Sequence, residues 1–177
     1  ESGELEVHYQ PIVALESEQV CAYEALVRWE HPEYGDISPG RFIPIAEESG
    51  LIVALTRYVL ERVCRQIATW RRRGDDTCAP VNVNISSIEI TEANLKATLE
   101  EILVSHDIPE GFVRIELTER VLVDHPEGAS EVFERLRDIG VPVVIDDFGT
   151  GYSSLNYLRR FDADQVKLDR EFVSDLS

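Results

Sequence analysis

Methionine is absent from the 177-residue chain, position 1 included. A translated chain normally begins with one, so the sequence is expected to be a piece of a longer protein. Positive charge is scarce: 17 Lys and Arg stand against 34 Asp and Glu, a formal net charge of −17. That excludes a general grip on nucleic-acid backbone, which needs clustered Lys and Arg to displace counterions. No apolar run approaches the ~18 residues of a membrane span, and no charged-then-apolar leader pattern opens the sequence, so no membrane contact is expected from this segment. The cysteines, Cys21, Cys64 and Cys78, are odd in number and widely spaced. They fit reduced thiols in a cytoplasmic protein better than a disulfide frame or a zinc clip. His8, His31, His106 and His125 form no metal-ligand spacing, and no nucleophile elbow, dinucleotide loop or phosphate loop occurs. What is present is a 44% hydrophobic chain. That is enough to bury a core and too apolar for a disordered acidic tail.

Apolar periodicity alternates between strand and helix along the whole length. Residues 5–13, 20–28, 81–85, 112–117, 141–146 and 165–169 are rich in Val and Ile and predict strands. Ser38-Pro39 predicts a helix start, with proline at the first helical position. Residues 51–73 carry Ile52, Leu55, Val59, Val63, Ile67 and Trp70 at spacings of three or four, with Gly74 as the stop. Residues 92–105 and 127–139 repeat the pattern, with Gly140 closing the second. Repeated strand–helix–strand units imply parallel pairing with helices outside the sheet.

Such a sheet is either open and doubly wound or rolled into a β/α barrel. Asn82 and Asn84 share one strand face, with Val81, Val83 and Ile85 on the other. Arg114 and Glu116 lie opposite Val113 and Ile115, and Gln165, Lys167 and Asp169 lie opposite Val166 and Leu168. Glu24 and Arg28 share a face, as do His8 and Gln10. A sheet covered on both sides would read as continuous hydrophobic runs. One polar face, richest at the C-terminal strand ends, favours a TIM-like barrel whose inner face opens into a polar mouth. A half-exposed sheet with a solvated face is the alternative. Eight-unit barrels need about 250 residues. Six strand signals therefore predict a barrel truncated to about six strands, residues 1–177 forming a partial domain that lacks the C-terminal units.

The polar strand ends supply Glu24, Asn84, Glu116 and Asp146, with Asp147 directly after. Neighbouring strand residues face opposite ways, so both aspartates reach one site only if the strand ends between them, which the glycines of Phe148-Gly149-Thr150-Gly151 would permit. Carboxylates with an amide oxygen are hard donors, suited to Mg²⁺ or Mn²⁺ rather than zinc. Two divalent ions would balance four converging carboxylates, the arrangement of two-metal hydrolysis. Lys167 could hold the attacking water or stabilise charge on phosphate. Other acidic pairs, Asp75-Asp76, Glu47-Glu48 and Glu100-Glu101, read as solvated surface. Asn84 reads equally as a strand-end amide bonded to backbone, and Lys167 as a partner of Asp169 or Asp146.

Glu24-Ala25-Leu26-Val27-Arg28-Trp29 resembles the signature of the EAL domain family, the cyclic di-GMP phosphodiesterases. The resemblance extends in order through Tyr9-Gln10-Pro11-Ile12, Phe42-Ile43-Pro44, Ala46-Glu47-Glu48-Ser49-Gly50 and Val83-Asn84-Ile85-Ser86. It continues through Glu116-Leu117-Thr118-Glu119, the segment from Asp146-Asp147-Phe148 to Ser153-Ser154-Leu155, and Lys167-Leu168-Asp169. It implies a β/α barrel with one antiparallel strand that hydrolyses cyclic di-GMP to linear pGpG. It also implies two Mg²⁺ or Mn²⁺ ions, with Ca²⁺ inhibitory. The family's metal ligands fall on Glu24, Asn84, Glu116, Asp146 and Asp147, and its water-positioning lysine on Lys167, so that Lys167, Glu24 and Asp146 form the catalytic set. Arg28 matches a phosphate contact, Gln10 a position near substrate, and Glu119 the acid that tethers the loop after the double aspartate. A homodimer is implied, in the cytoplasm or as the cytosolic part of a larger, membrane-anchored protein. The family's later glutamate and glutamine segments do not occur among the 177 residues. A receptor that binds cyclic di-GMP without turnover, and an enolase-like metal lyase with Lys167 as base, are the alternative readings.

Overall fold

The computed structural model describes residues 4–74, 78–90, 94–124, 126–149 and 163–169. Strands β1 (Leu5–Val13) and β2 (Val20–His31) form an antiparallel hairpin, and β3 (Gly35–Ile37) pairs antiparallel with the end of β2. Helices α1 (Pro39–Glu48) and α2 (Ile52–Arg73) lead to β4 (Val81–Asn84), α3 (Ser87–Ile90) and α4 (Leu95–Ser105) to β5 (Val113–Thr118), and α5 (Glu119–Asp124) and α6 (Pro126–Arg137) to β6 (Val143–Phe148). Strand β7 (Gln165–Leu168) follows. The sheet order is β1-β2-β4-β5-β6-β7, with every pairing from β2 to β7 along that path parallel. β1 is the expected antiparallel strand. The described residues hold seven strands rather than six; β3 is three residues long, too short to show a period.

Local chemistry accounts for the boundaries. Pro39 opens α1 after Ser38, whose extended backbone is that of an N-cap although its hydroxyl makes no capping bond. Gly74 closes α2 at φ 62°, and its N–H donates to the carbonyls of Arg71 and Trp70. Gly140, at φ 68°, follows α6 and passes so close to Glu110 that a Cβ there would meet its side chain.

The core lies between the helices and the outer face of the sheet. Val59, Leu60, Val63 and Ile67 of α2, Leu99 and Ile102 of α4, and Val132, Phe133 and Leu136 of α6 pack on Val81, Val83, Ile115, Leu117, Val143 and Ile145. Each such aliphatic side chain, buried fully, contributes about 1.5–3 kcal/mol. Cys64 belongs to this layer, and burial pushes its thiol up to about 12, an inert state.

The other face is polar and concave. Lys167 Nζ on β7 lies 2.9 Å from Glu24 Oε2 on β2. Four strand steps separate those strands, about 19 Å across a flat sheet. Only a strongly rolled sheet brings the two side chains together. The arc is that of a TIM-like barrel, although the sheet does not close among the described residues. No helix among those residues is long and apolar enough to cross a membrane.

Candidate active site

Parallel register sets the site. Glu24 aligns with Asn82 on β4, Asn84 aligns with Glu116 on β5, and Thr118 aligns with Asp146 on β6. The polar face of each strand therefore delivers one carboxylate or amide to the same rim. Oxygens of Glu24, Glu116 and Asp146 lie within 4.8 Å of one another. Lys167 Nζ reaches all of them, at 2.9 Å from Glu24 Oε2, 3.0 Å from Glu116 Oε1 and 3.2 Å from Asp146 Oδ1. Asn84 Nδ2 donates to Glu24 Oε1 at 3.1 Å. Lys167 is thus paired with Asp146, one of the two partners expected from sequence, and with two glutamates besides.

The electrostatics are unbalanced. Three carboxylates face one ammonium in a partly dry site where Glu116 is wholly buried. Burial raises the Glu116 carboxyl above its ordinary value, and Lys167 and the Asn82 amide offset only part of that. Burial would lower Lys167, but the hydrogen bond it donates to Glu24 and the charges of Glu116 and Asp146 outweigh that and hold the ammonium firmly protonated. Glu116 Oε1 accepts from Asn82 Nδ2 at 2.8 Å, whereas Oε2 is buried with no hydrogen-bond partner among the described residues. A bare carboxylate oxygen beside two more carboxylates fits a hard divalent cation, so the donor set passes a chemical test for a metal.

Asp147 arrives by an unexpected route. β6 does not end between Asp146 and Asp147; it runs on to Phe148, and its register with β7 shifts between Ile145 and Phe148. Asp147 takes φ 54°, a left-handed conformation that aspartate tolerates better than most residues, and this bulge interrupts the alternation of faces. Its carboxyl is raised by burial first and then by the charges of Asp146 and Asp169. It stands at the rim beside the cluster of three, not within it. The glycine turn follows the end of β6 at Phe148 and begins at Gly149.

The remaining expected residues fall around this centre. Gln10 is the cross-strand partner of Glu24 and is exposed. Arg28, two strand periods beyond Glu24 on β2, lines a cavity of about 570 Å³ with Asn84, Ser86, Thr118 and Arg120. Its guanidinium also reaches the Val27 carbonyl at 3.4 Å. Glu119, only 6% exposed, accepts the Gly149 N–H at 2.9 Å, so α5 is tied to the residue that follows β6. Residues 150–155 of the expected motif lie outside the described residues.

Two contributors escaped the sequence reading. Ser86-Ser87-Ile88-Glu89 is a capping box at α3: the Ser86 hydroxyl accepts the Ile88 N–H, and Glu89 reaches back to the Ser86 N–H at 3.1 Å. Glu89, 3% exposed, also accepts the Thr56 hydroxyl of α2 at 2.9 Å, which fixes the chain two residues beyond Asn84. The S-x-x-E spacing was the available signal. Asn82 is the other: the register aligns it with Arg114, and its amide reaches diagonally to Glu116 on β5.

The chain is similar to known proteins. The chain is 43% identical over 176 residues to cyclic di-GMP phosphodiesterase PdeR of Escherichia coli and 42% identical over 173 residues to cyclic di-GMP phosphodiesterase NbdA of Pseudomonas aeruginosa. These matches take in 99% and 98% of the chain but only 26% and 22% of those relatives, so the chain spans about a quarter of their length. The PaMucR phosphodiesterase structure, a c-di-GMP complex, superposes with a TM-score of 0.90 at 39% identity, over 98% of this chain and 70% of that one. The EAL domain family matches residues 1–177, and with the barrel arc and its carboxylate rim in place, the chain belongs to that family.

Proposed function

We propose that this chain hydrolyses one phosphodiester bond of cyclic di-GMP to give linear pGpG, with the help of two Mg²⁺ or Mn²⁺ ions. The observation that supports it most is the convergence of Glu24, Glu116 and Asp146 within 4.8 Å around Lys167. Glu24, Asn84, Glu116, Asp146 and Asp147 would hold the ions. When bound, the cations supply positive charge that acidifies water and offsets charge gathering on the phosphate oxygens.

The chain's own groups do the rest. Water adds its hydroxyl to phosphorus, the bond from phosphorus to the 3′ oxygen breaks, and that oxygen takes up the proton. The Lys167 ammonium directs its three donors at three carboxylates, and it holds the attacking water once one of those donors turns from its carboxylate. Arg28 lines the adjoining cavity and suits a phosphate oxygen, since its planar fork matches that geometry. Gln10, beside Glu24, is within the same rim and contacts substrate. Glu119 holds the backbone after β6 in place through Gly149. Ca²⁺, larger and tolerant of more ligands, would inhibit by competing for the same carboxylates. The working setting is cytoplasmic and the working form a homodimer, in keeping with the family.

The test is incubation with cyclic di-GMP and Mn²⁺ followed by chromatography. Linear dinucleotide supports the reading. Binding without product would replace it with a receptor, and the absence of both would reopen the metal-lyase reading.

A further inference from the structure

We propose that Asn82 is a positioning residue, which locks the Glu116 carboxylate so that one of its oxygens stays open to a divalent cation. The inference rests on the metal reading above. Asn82 lies one residue before the segment Val83–Ser86 that resembles the family, and nothing in that resemblance assigns it a role.

Its position is costly for an amide. Asn82 is 2% exposed and sits between Val81 and Val83, both buried. A valine would satisfy the burial of this strand without any polar atom to desolvate. The amide also leaves its own Oδ1 buried and without a partner among the described residues. What it provides is a donor. Nδ2 donates to Glu116 Oε1 at 2.8 Å, from a strand position aligned with Glu24 on one side and Arg114 on the other. The amide cannot be turned over, because that would set Oδ1 against Oε1 as two acceptors at hydrogen-bond distance.

Glu116 Oε1 is therefore held twice, by Asn82 and by Lys167 at 3.0 Å. Those two bonds fix the carboxylate plane and leave Oε2 unmatched. An unmatched buried acceptor is destabilising, and a cation at Oε2 would reverse that. Outer hydrogen bonds of this kind orient metal ligands and are worth 10–100-fold in affinity.

Calorimetric titration of the chain with Mn²⁺ tests this, using Asn82→Val and Asn82→Thr. The two side chains match in volume and both suit a strand, but only threonine carries a donor. Asn82→Val should bind Mn²⁺ ~10–100-fold more weakly, with Asn82→Thr intermediate and both melting cooperatively in EDTA. Wild-type affinity in Asn82→Val, or equal affinity in the two variants, would overturn the assignment of Asn82. Failure of the wild-type chain to bind Mn²⁺ would overturn the metal reading itself, a distinct outcome.

Discussion

Lys167 Nζ and Glu24 Oε2 stand 2.9 Å apart although the two residues are 143 positions apart in sequence and four strand steps apart in the sheet. The same ammonium touches Glu116 and Asp146, so one positive charge organises three negative ones. Replacing it by a neutral side chain of similar length separates its two effects. Lys167→Met should lower hydrolysis by about 10²–10³ through loss of a charged donor. It should also tighten Mn²⁺ binding, since a competing cation has left the cluster. Steady-state kinetics and calorimetry on one preparation check both, and unchanged turnover would refute the role given to Lys167.

Asp147 holds a left-handed backbone, φ 54°, within β6. Glycine takes that conformation freely, and a β-branched residue is strained in it. Asp147→Val should therefore be less stable than Asp147→Gly by about 1–3 kcal/mol. Urea denaturation of the two variants checks this. Equal midpoints would show that the bulge relaxes.

Glu119 accepts the Gly149 N–H. A glutamine carbonyl can still accept that bond, and an alanine leaves the N–H without it. Glu119→Ala should lose about 10-fold or more in turnover, the scale of outer hydrogen bonds in metal sites. It should also speed hydrogen exchange at Gly149. Glu119→Gln should retain slow exchange and most of the activity. Equal exchange in the two variants would count against the tether.

Acid should act with opposite signs in the presence and absence of metal. The Glu116 and Asp147 carboxyls are raised, by burial first and then by neighbouring charge. The folded chain therefore takes up protons more readily than the unfolded one, whose carboxyls titrate at about 4. Stability from these groups rises as pH falls through their folded values towards the unfolded ones. Lys167 contributes stability that is complete below its unfolded value of about 10.4 and is lost only at higher pH, so it does not vary in this window. In EDTA, acidification towards the ordinary carboxylate range of about 4 should raise Tm. With saturating Mn²⁺, protons compete with the ion and Tm should fall. Scanning calorimetry checks the pair of slopes, and a falling Tm in both conditions contradicts the assignment.

Much of this site is legible along the chain because a strand of period two commits each side chain to one face. Glu24, Asn84, Glu116, Asp146 and Lys167 could be placed on the polar face before any coordinates, and the structure brings all of them to one rim. What escapes is whatever depends on a departure from the period or on register. The bulge at Asp147 is invisible because aspartate does not announce a positive φ. The Asn82–Glu116 bond joins residues 34 apart in sequence and runs diagonally between β4 and β5, where the register aligns Asn82 with Arg114. Strand β3 and helix α5, three and six residues long, carry too few apolar positions to show a pattern.

The central claim is that Glu24 helps gather hard cations that act on a phosphodiester. The most direct measurement follows cyclic di-GMP in Mn²⁺ with the wild-type chain and with Glu24→Ala, by chromatography, alongside calorimetric Mn²⁺ binding. Linear pGpG should form with the wild-type chain and cease on adding EDTA. Glu24→Ala should lose both product and Mn²⁺ affinity. Product formed by Glu24→Ala at the wild-type rate would contradict the account.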